Sequence, residues 1–441
     1  MQSDSLADEI ARHANAPETL EALYRAAPAA FAAALADALA ARPGDLVLRT
    51  WQARLDGAAT TTAGAPAEIP SVEDSPLGAA LAPGRLLGFV ALTVGLGLLG
   101  GTYAKLPALT GLDEAGFYER HLPFFVLPAL AALLAYRYRP ARRPLMATAG
   151  VFGAMWLWQA LRPGASESDT LLLGMLHAPI LLWLVAGLAA LGARWREAAG
   201  RVAYLQLTAE AAAVAGLIAA GGAALTGVTL GLFGAVGVSI EEEWFEWVVP
   251  YGAVGAPLVA LFVVSLRRDE GRLVPMLARF FGPLALAVLA VYLPVLLAQG
   301  AAPLRDRETL AAFDAMLGGA LLLIVLLVAG RPAGRRHWTD GVVAGLAALA
   351  LVADAVALVA LGERLALGLT PNRLALLGAN VLVAVHLGGV LFYALRRLTG
   401  RLRPDGARVD PLEAWVAGYL PVYAGWAAVV VFVFPLLFGF G

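Results

Sequence analysis

From residue 85 to its last residues the chain is a succession of apolar stretches separated by short polar breaks. Many of them approach the ~20 residues that a helix needs to cross ~30 Å of hydrocarbon. A backbone in that setting must satisfy its own polar groups, which leaves helices or closed barrels. Runs this long and continuously apolar belong to helices. Candidate spans lie near Leu86–Leu106, Leu122–Tyr138, Leu145–Leu161, Thr170–Leu191, Val202–Phe233, Val249–Leu266, Leu273–Ala298, Leu310–Ala329, Gly341–Leu361, Arg373–Leu395 and Trp415–Phe438. Only 15% of residues are charged and the mean hydropathy is +0.74, whereas soluble domains carry about 25% charge. The expected fold class is therefore all-α: a polytopic helical membrane bundle of about eleven spans over residues 85–441.

The first 56 residues differ. Leu6 and Ile10, then Leu20, Leu23 and Tyr24, Phe31, Leu35 and Leu39, and finally Leu48, Trp51 and Leu55 recur at helical spacing. They predict a small helical domain over 1–56. The segment 57–84, rich in Ala, Thr, Pro and Gly, is expected to be a flexible linker. The start of the chain, MQSDSLADEI, has no basic region ahead of an apolar core and is not expected to be a signal peptide.

Arginine sets the expected orientation. Arg137, Arg139, Arg142, Arg143, Arg194, Arg196, Arg201, Arg267, Arg268, Arg272, Arg331, Arg335, Arg336, Arg396, Arg397, Arg401, Arg403 and Arg408 fall in one set of alternate loops. The opposite set holds only Arg120, Arg162, Arg305, Arg307 and Arg364. The positive-inside rule then puts the N-terminal domain in the cytoplasm and the C-terminus outside. Arginine and alanine usage, with Lys105 as the single lysine, suits a bacterial inner (cytoplasmic) membrane by association.

The region 239–330 carries a resemblance. Arg279-Phe280-Phe281-Gly282-Pro283, Tyr292, Asp306-Arg307 and Phe313-Asp314, with Trp244 and Pro257 upstream, are similar to the bacterial membrane-protein family bearing the domain of unknown function 4153. The resemblance implies a multi-span inner-membrane protein and supplies no activity or catalytic residue.

Ionisable groups inside spans are costly, about 2.5–3.5 kcal/mol on insertion scales, so each needs a partner or a water path. Asp354, Asn380, His177 and Asp314 fall in an expected outer polar layer. Glu210, Arg279 and His386 fall in an inner one, roughly 10 Å from the cytoplasmic surface. Glu210 and Arg279 are expected to form a buried ion pair. A further acidic–aromatic stretch places Glu241, Glu242, Glu243 and Glu246 beside Trp244 and Trp247, with Ser239 and Glu242 spaced as a helix capping box. It reads as a helix start in the interfacial aromatic belt or as an outer cation, substrate or partner site.

Other classes are excluded or weakened. A net charge of −1 with no basic stripe argues against nucleic acid. Without cysteine there are no thiolate sites, and the histidines are too scattered to suggest a metal. Gly95, Gly97 and Gly100 match G-x-G-x-x-G, but inside an apolar run with no strand before it, so close helix packing is expected rather than nucleotide binding. Gly227 and Gly231, with Gly221, Gly222 and Gly234, predict a tightly packed central helix. No catalytic motif is visible, and neither an enzyme nor a cofactor is expected. The expected function is a permease-like protein for a small solute or ion. The alternative is a non-transporting regulator or scaffold whose N-terminal domain meets a protein partner; the bilayer is the other partner.

Overall fold

The computed structural model describes residues 2–14, 17–42, 45, 47–52, 55, 83–163, 168–266, 273–299, 307–331, 337–366, 368–400 and 409–440. The chain divides into two compact units, 1–71 and 72–441. The expected linker lies outside the described residues except for Pro83 and Gly84, which open the first long helix.

In the N-terminal unit, α1 (Gln2–Arg12), α2 (Pro17–Ala26), α3 (Pro28–Ala41) and α4 (residues 47–52) surround one small core. Ile10, Leu20, Phe31 and Leu48 are wholly buried there. Tyr24, Phe31 and Trp51 pack edge to face or tilted, with centroids 5.2–5.7 Å apart. The Asp45 carboxylate accepts from the Val47 and Leu48 amides and so starts α4.

The second unit contains α5 (Pro83–Ala104), α6 (Leu106–Thr110), α7 (Glu114–His121), α8 (Leu127–Tyr138), α9 (Arg142–Leu161), α10 (Asp169–Leu191) and α11 (Ala198–Ala235). One turn, α12 (Glu241–Glu243), passes through a π-helical turn (Trp244–Val248) into α13 (Val249–Leu266). Next come α14 (Leu273–Gln299), α15 (Arg307–Ala329), α16 (Trp338–Leu365) and α17 (Pro371–Leu398). The last stretch runs α18 (Pro411–Gly418), α19 (Leu420–Ala428), a second π turn (Val429–Val433) and α20 (Phe434–Leu437).

Among the described residues 10 helical segments are long and apolar enough to cross a membrane. The protein is a multi-pass, all-α membrane bundle. The eleventh expected span, α9, is a 20-residue helix of ~30 Å, but Gln159, Thr148 and its two glycines keep it below that apolar threshold.

Two packed cores share α10. One gathers α14, α15, α16, α17 and α18 around the alanine face of α16, where Ala347, Ala350, Ala353 and Ala357 are buried. The other joins α5, α8, α10 and α13. Gly100 packs where the Phe125 carbonyl and the Val254 side chain leave no room for a Cβ, as expected for close helix packing. The α11 glycines behave otherwise. Gly221, Gly222, Gly227, Gly231 and Gly234 have no neighbour within 4 Å of a Cβ position, so the expected tight central helix is corrected to a peripheral one. A small-residue stripe permits a close backbone approach but does not bring a second backbone to it.

The final span is broken by proline. Pro421 and Pro435 lack the N–H groups that would bond to the carbonyls of Ala417 and Val431. Both carbonyls are taken by side chains from other helices: Arg201 Nε donates to Ala417 O at 2.8 Å, and Trp158 Nε1 donates to Val431 O at 3.0 Å. Hydrocarbon offers no water for such groups, so neighbouring helices must supply the donors. The same span lies antiparallel along α17. The Trp415 ring presses on Gly389 and the Trp426 ring on Gly378, pairs that step 11 residues in opposite directions.

Candidate functional site

The aromatic face of the last span against α17 positions the site. Tyr419 falls between α18 and α19, and Tyr423 follows one turn later. Tyr423 Oη is 2.8 Å from His386 Nδ1 on α17. The His386 ring stacks on Tyr419 at 4.5 Å between centroids, and Trp415 Nε1 donates to the His386 carbonyl at 3.0 Å. His386 is 1% exposed, and its Nε2 has no hydrogen-bond partner.

Asp354 lies past the middle of α16 with 0% exposure. Neither of its carboxylate oxygens has a hydrogen-bond partner. It interacts electrostatically with Asp314 on α15 and with Tyr423. Asn380 Nδ2 donates to Asp314 Oδ1 at 3.1 Å, and Asp314 Oδ2 is unpartnered. Asp314, Asp354, Asn380 and His386, expected in two separate layers, make one string in which hydrogen bonds join Asn380 to Asp314 and His386 to Tyr423, while Asp354 relates to Asp314 and Tyr423 through electrostatics alone. Asn380 and His386 are six residues apart on α17, about 9 Å along its axis. Four helices supply these groups, and the alanines of α16 allow the close approach.

The other expected residues go elsewhere. His177 Nδ1 meets the Leu173 carbonyl of its own helix at 2.9 Å and shares no hydrogen bond with the string. Glu210 does not pair with Arg279. Its two carboxylate oxygens accept from the Leu273 and Val274 amides at 3.0 and 2.9 Å, while Arg279 is exposed further along α14. The first N–H groups of a helix have no partner within it, and a carboxylate there also complements the helix dipole. Glu210 is thus a buried cap supplied by another helix.

The acidic–aromatic stretch also divides. Glu246 pairs with Lys105 Nζ at 3.1 Å, and that ammonium lies 4.9 Å from the Trp247 ring centroid. Trp244 Nε1 donates to Thr226 Oγ1 at 3.2 Å. Glu241, Glu242 and Glu243 are exposed. The expected Ser239 capping box does not form, since the N-cap is Ile240 without a side-chain bond.

Sequence reasoning missed Tyr419 and Tyr423, although Trp415, Tyr419, Tyr423 and Trp426 recur at i, i+4, i+8 and i+11 as one aromatic face. It also read several arginines only as topology signals. Arg331 meets Asp340 at 3.0 Å, Asp410 at 3.1 Å and Glu413 at 3.4 Å. Arg397 meets Asp340 at 3.4 Å and also binds Asp410. This network ties the end of α15 to α16, α17 and α18. Asp340 is 14 residues before Asp354, about 21 Å along α16. Among the described residues no three His, Asp or Glu side chains are grouped to hold a metal ion. Comparisons with protein-family models, curated proteins and solved structures find no match to this chain.

Proposed function

We propose that the protein is a permease for a small cation or for a solute carried with a proton, and that Asp354 is the group that holds the ion. The observation that carries this reading is a fully buried carboxyl with no hydrogen-bond partner on either oxygen. A carboxyl at that depth needs a proton or a bound cation, because an isolated charge in apolar surroundings is very costly. Asp314, Tyr423 and His386 extend the polar string from it, and the Arg331–Asp340–Asp410 network lies about 21 Å from Asp354 along α16. The break at Pro421 supports the same reading, since interrupted helices recur where membrane proteins carry ions. No residue is assigned a catalytic role.

The arginine asymmetry supports an inner-membrane orientation with the N-terminal unit in the cytoplasm. The separate core of that unit supports a module that meets a soluble protein partner, so a regulatory role for it accompanies the permease reading. The resemblance over 239–330 favours a bacterial membrane protein and adds no substrate.

Proteoliposomes of the full chain, loaded with a pH-sensitive dye and challenged with proton and sodium gradients, test the proposal. Expected is a flux above that of empty liposomes that falls at least ~10-fold in Asp354→Asn. Wild-type liposomes no leakier than empty ones, or Asp354→Asn with unchanged flux, would overturn it.

A further inference from the structure

A second group of buried polar side chains lies at the junction of α7, α9 and α10, away from the string around Asp354. Arg162 ends α9 and is 4% exposed, yet none of its three guanidinium nitrogens has a hydrogen-bond partner. Gln159, one turn earlier on α9, is 0% exposed, and both its amide atoms are unpartnered. Thr170, in the first turn of α10, is equally buried, with an unpartnered hydroxyl. These groups converge. A point one Cβ bond from Gly174 lies 2.9 Å from Arg162 Nη1 and 3.7 Å from Gln159 Nε2, and Thr170 precedes Gly174 by one helical turn on the same face.

The charge around this point is cationic. Arg120 of α7 donates to the carbonyls of Gln159 and Arg162 at 3.2 and 2.8 Å, which brings a second guanidinium beside the first. Arg120 and Arg162 repel one another, and Glu119 partly offsets them. Burial, more than this repulsion, lowers the Arg162 pKa to about 10, which leaves the group charged at neutral pH. A buried guanidinium without an acceptor is among the costliest states a side chain can hold. Nearby protein acceptors relieve it only in part: the Gln159 and Arg162 carbonyls are taken by Arg120, and Glu119 sets one carboxylate against two guanidiniums. That leaves an excess of positive charge for an external anion to offset, and a guanidinium fork suits phosphate oxygens. Gln159 Oε1 adds a requirement, because it is an acceptor and needs a hydroxyl from the same ligand.

We propose that Arg162, Gln159 and Thr170 form a binding site for a phosphate group with an adjoining hydroxyl. Hydrogen phosphate, a phosphate monoester and a phosphoglycerol headgroup share that chemistry. Arg162 donates to two phosphate oxygens, Gln159 Nε2 and the Thr170 hydroxyl complete the cradle, and Gln159 Oε1 receives the ligand's O–H. Arg120 holds the end of α9 in place.

The test uses the purified full chain in uncharged detergent and in nanodiscs. Equilibrium dialysis with radiolabelled inorganic phosphate reads the free-anion source. Thermal unfolding in phosphatidylglycerol against phosphatidylcholine nanodiscs reads the lipid source. Expected is saturable phosphate binding, or a higher melting temperature in phosphatidylglycerol, with affinity or shift reduced at least ~10-fold in Arg162→Gln. Should Arg162→Gln fail to fold, Gln159→Leu keeps the charge and removes two of the polar contacts, and the same loss is expected. A wild-type chain that neither binds phosphate nor distinguishes the two lipids overturns the site. So does a folded Arg162→Gln or Gln159→Leu variant that matches wild type in both assays.

Discussion

Asn380 donates its side-chain amide to Asp314 Oδ1 at 3.1 Å, so the half-buried Asp314 is held on one oxygen while the fully buried Asp354 is held on neither. The pair is asymmetric, and under the permease reading Asp314 is the positioned carboxyl and Asp354 the one that holds the ion. Asn380→Leu should therefore impair ion flux by releasing Asp314, with Asp354 left in place. Flux reduced less than in Asp354→Asn is the expected order, and proteoliposome assays of both variants read it. The reverse order would make Asp314 the ion-holding group.

Asp354 also makes a prediction about stability. A buried carboxyl without a partner is a cost the fold carries, so Asp354→Leu should leave stability unchanged or raise it by about 1–3 kcal/mol while abolishing flux. Thermal unfolding in detergent measures it. A marked loss of stability would mean that Asp354 has a structural partner.

Glu210 and Arg279 separate by the same measurement. Glu210→Ala removes a cap from the first turn of α14 and leaves one buried and one part-buried amide unpaired, so a loss of about 1–3 kcal/mol is expected. Arg279→Ala, at an exposed position, should stay within about 0.5 kcal/mol. Comparable losses from both would restore the ion pair that the structure replaces.

The two proline-freed carbonyls give a matched pair of tests. Trp158→Phe keeps most of the ring but removes the donor to Val431 O, and Arg201→Met keeps the stem but removes the donor to Ala417 O. Each should cost about 1–3 kcal/mol for the orphaned carbonyl. Restoring the backbone N–H with Pro435→Ala should lessen the effect of Trp158→Phe. Additive losses in that double variant would show that the indole acts by packing alone.

Packing along α17 predicts a steric effect. Gly389→Ala places a methyl where the Trp415 ring now lies, and overpacking of this kind costs about 1–3 kcal/mol. Because Trp415 also bonds the His386 carbonyl, the variant should disturb the string and lower flux. Gly388→Ala, one residue away with nothing within 4 Å, is the control and should be silent in both readings.

Hydrocarbon makes some features local enough to read from the chain alone. A span must be long, apolar and internally hydrogen-bonded, so its existence follows from a run of about 20 residues without reference to any neighbour. The helical class, the multi-pass architecture and the core of the N-terminal unit (Ile10, Phe31, Leu35, Trp51) are local in this sense, being set by length and periodicity. Depth along a helix is local too, and the Asn380–Asp314 bond joins two groups that depth alone puts in one layer. Which helices stand side by side is not local. Glu210 and Arg279 were matched by depth, yet a carboxylate answers equally well to the unpaired amides of a helix start, and only the packing of α11 against α14 decided between them. The glycines of α11 could have met a backbone and do not, because that helix lies at the edge. His386 and Asp354 were placed in different layers. Tyr423 relates to both, because Trp415, Tyr419, Tyr423 and Trp426 share the face of the last span that packs on α17, and which helix that face meets is not encoded in its own spacing. The buried group at Arg162 was hidden for the same reason: an arginine between two spans looks like a topology signal until α7 and α10 close over it.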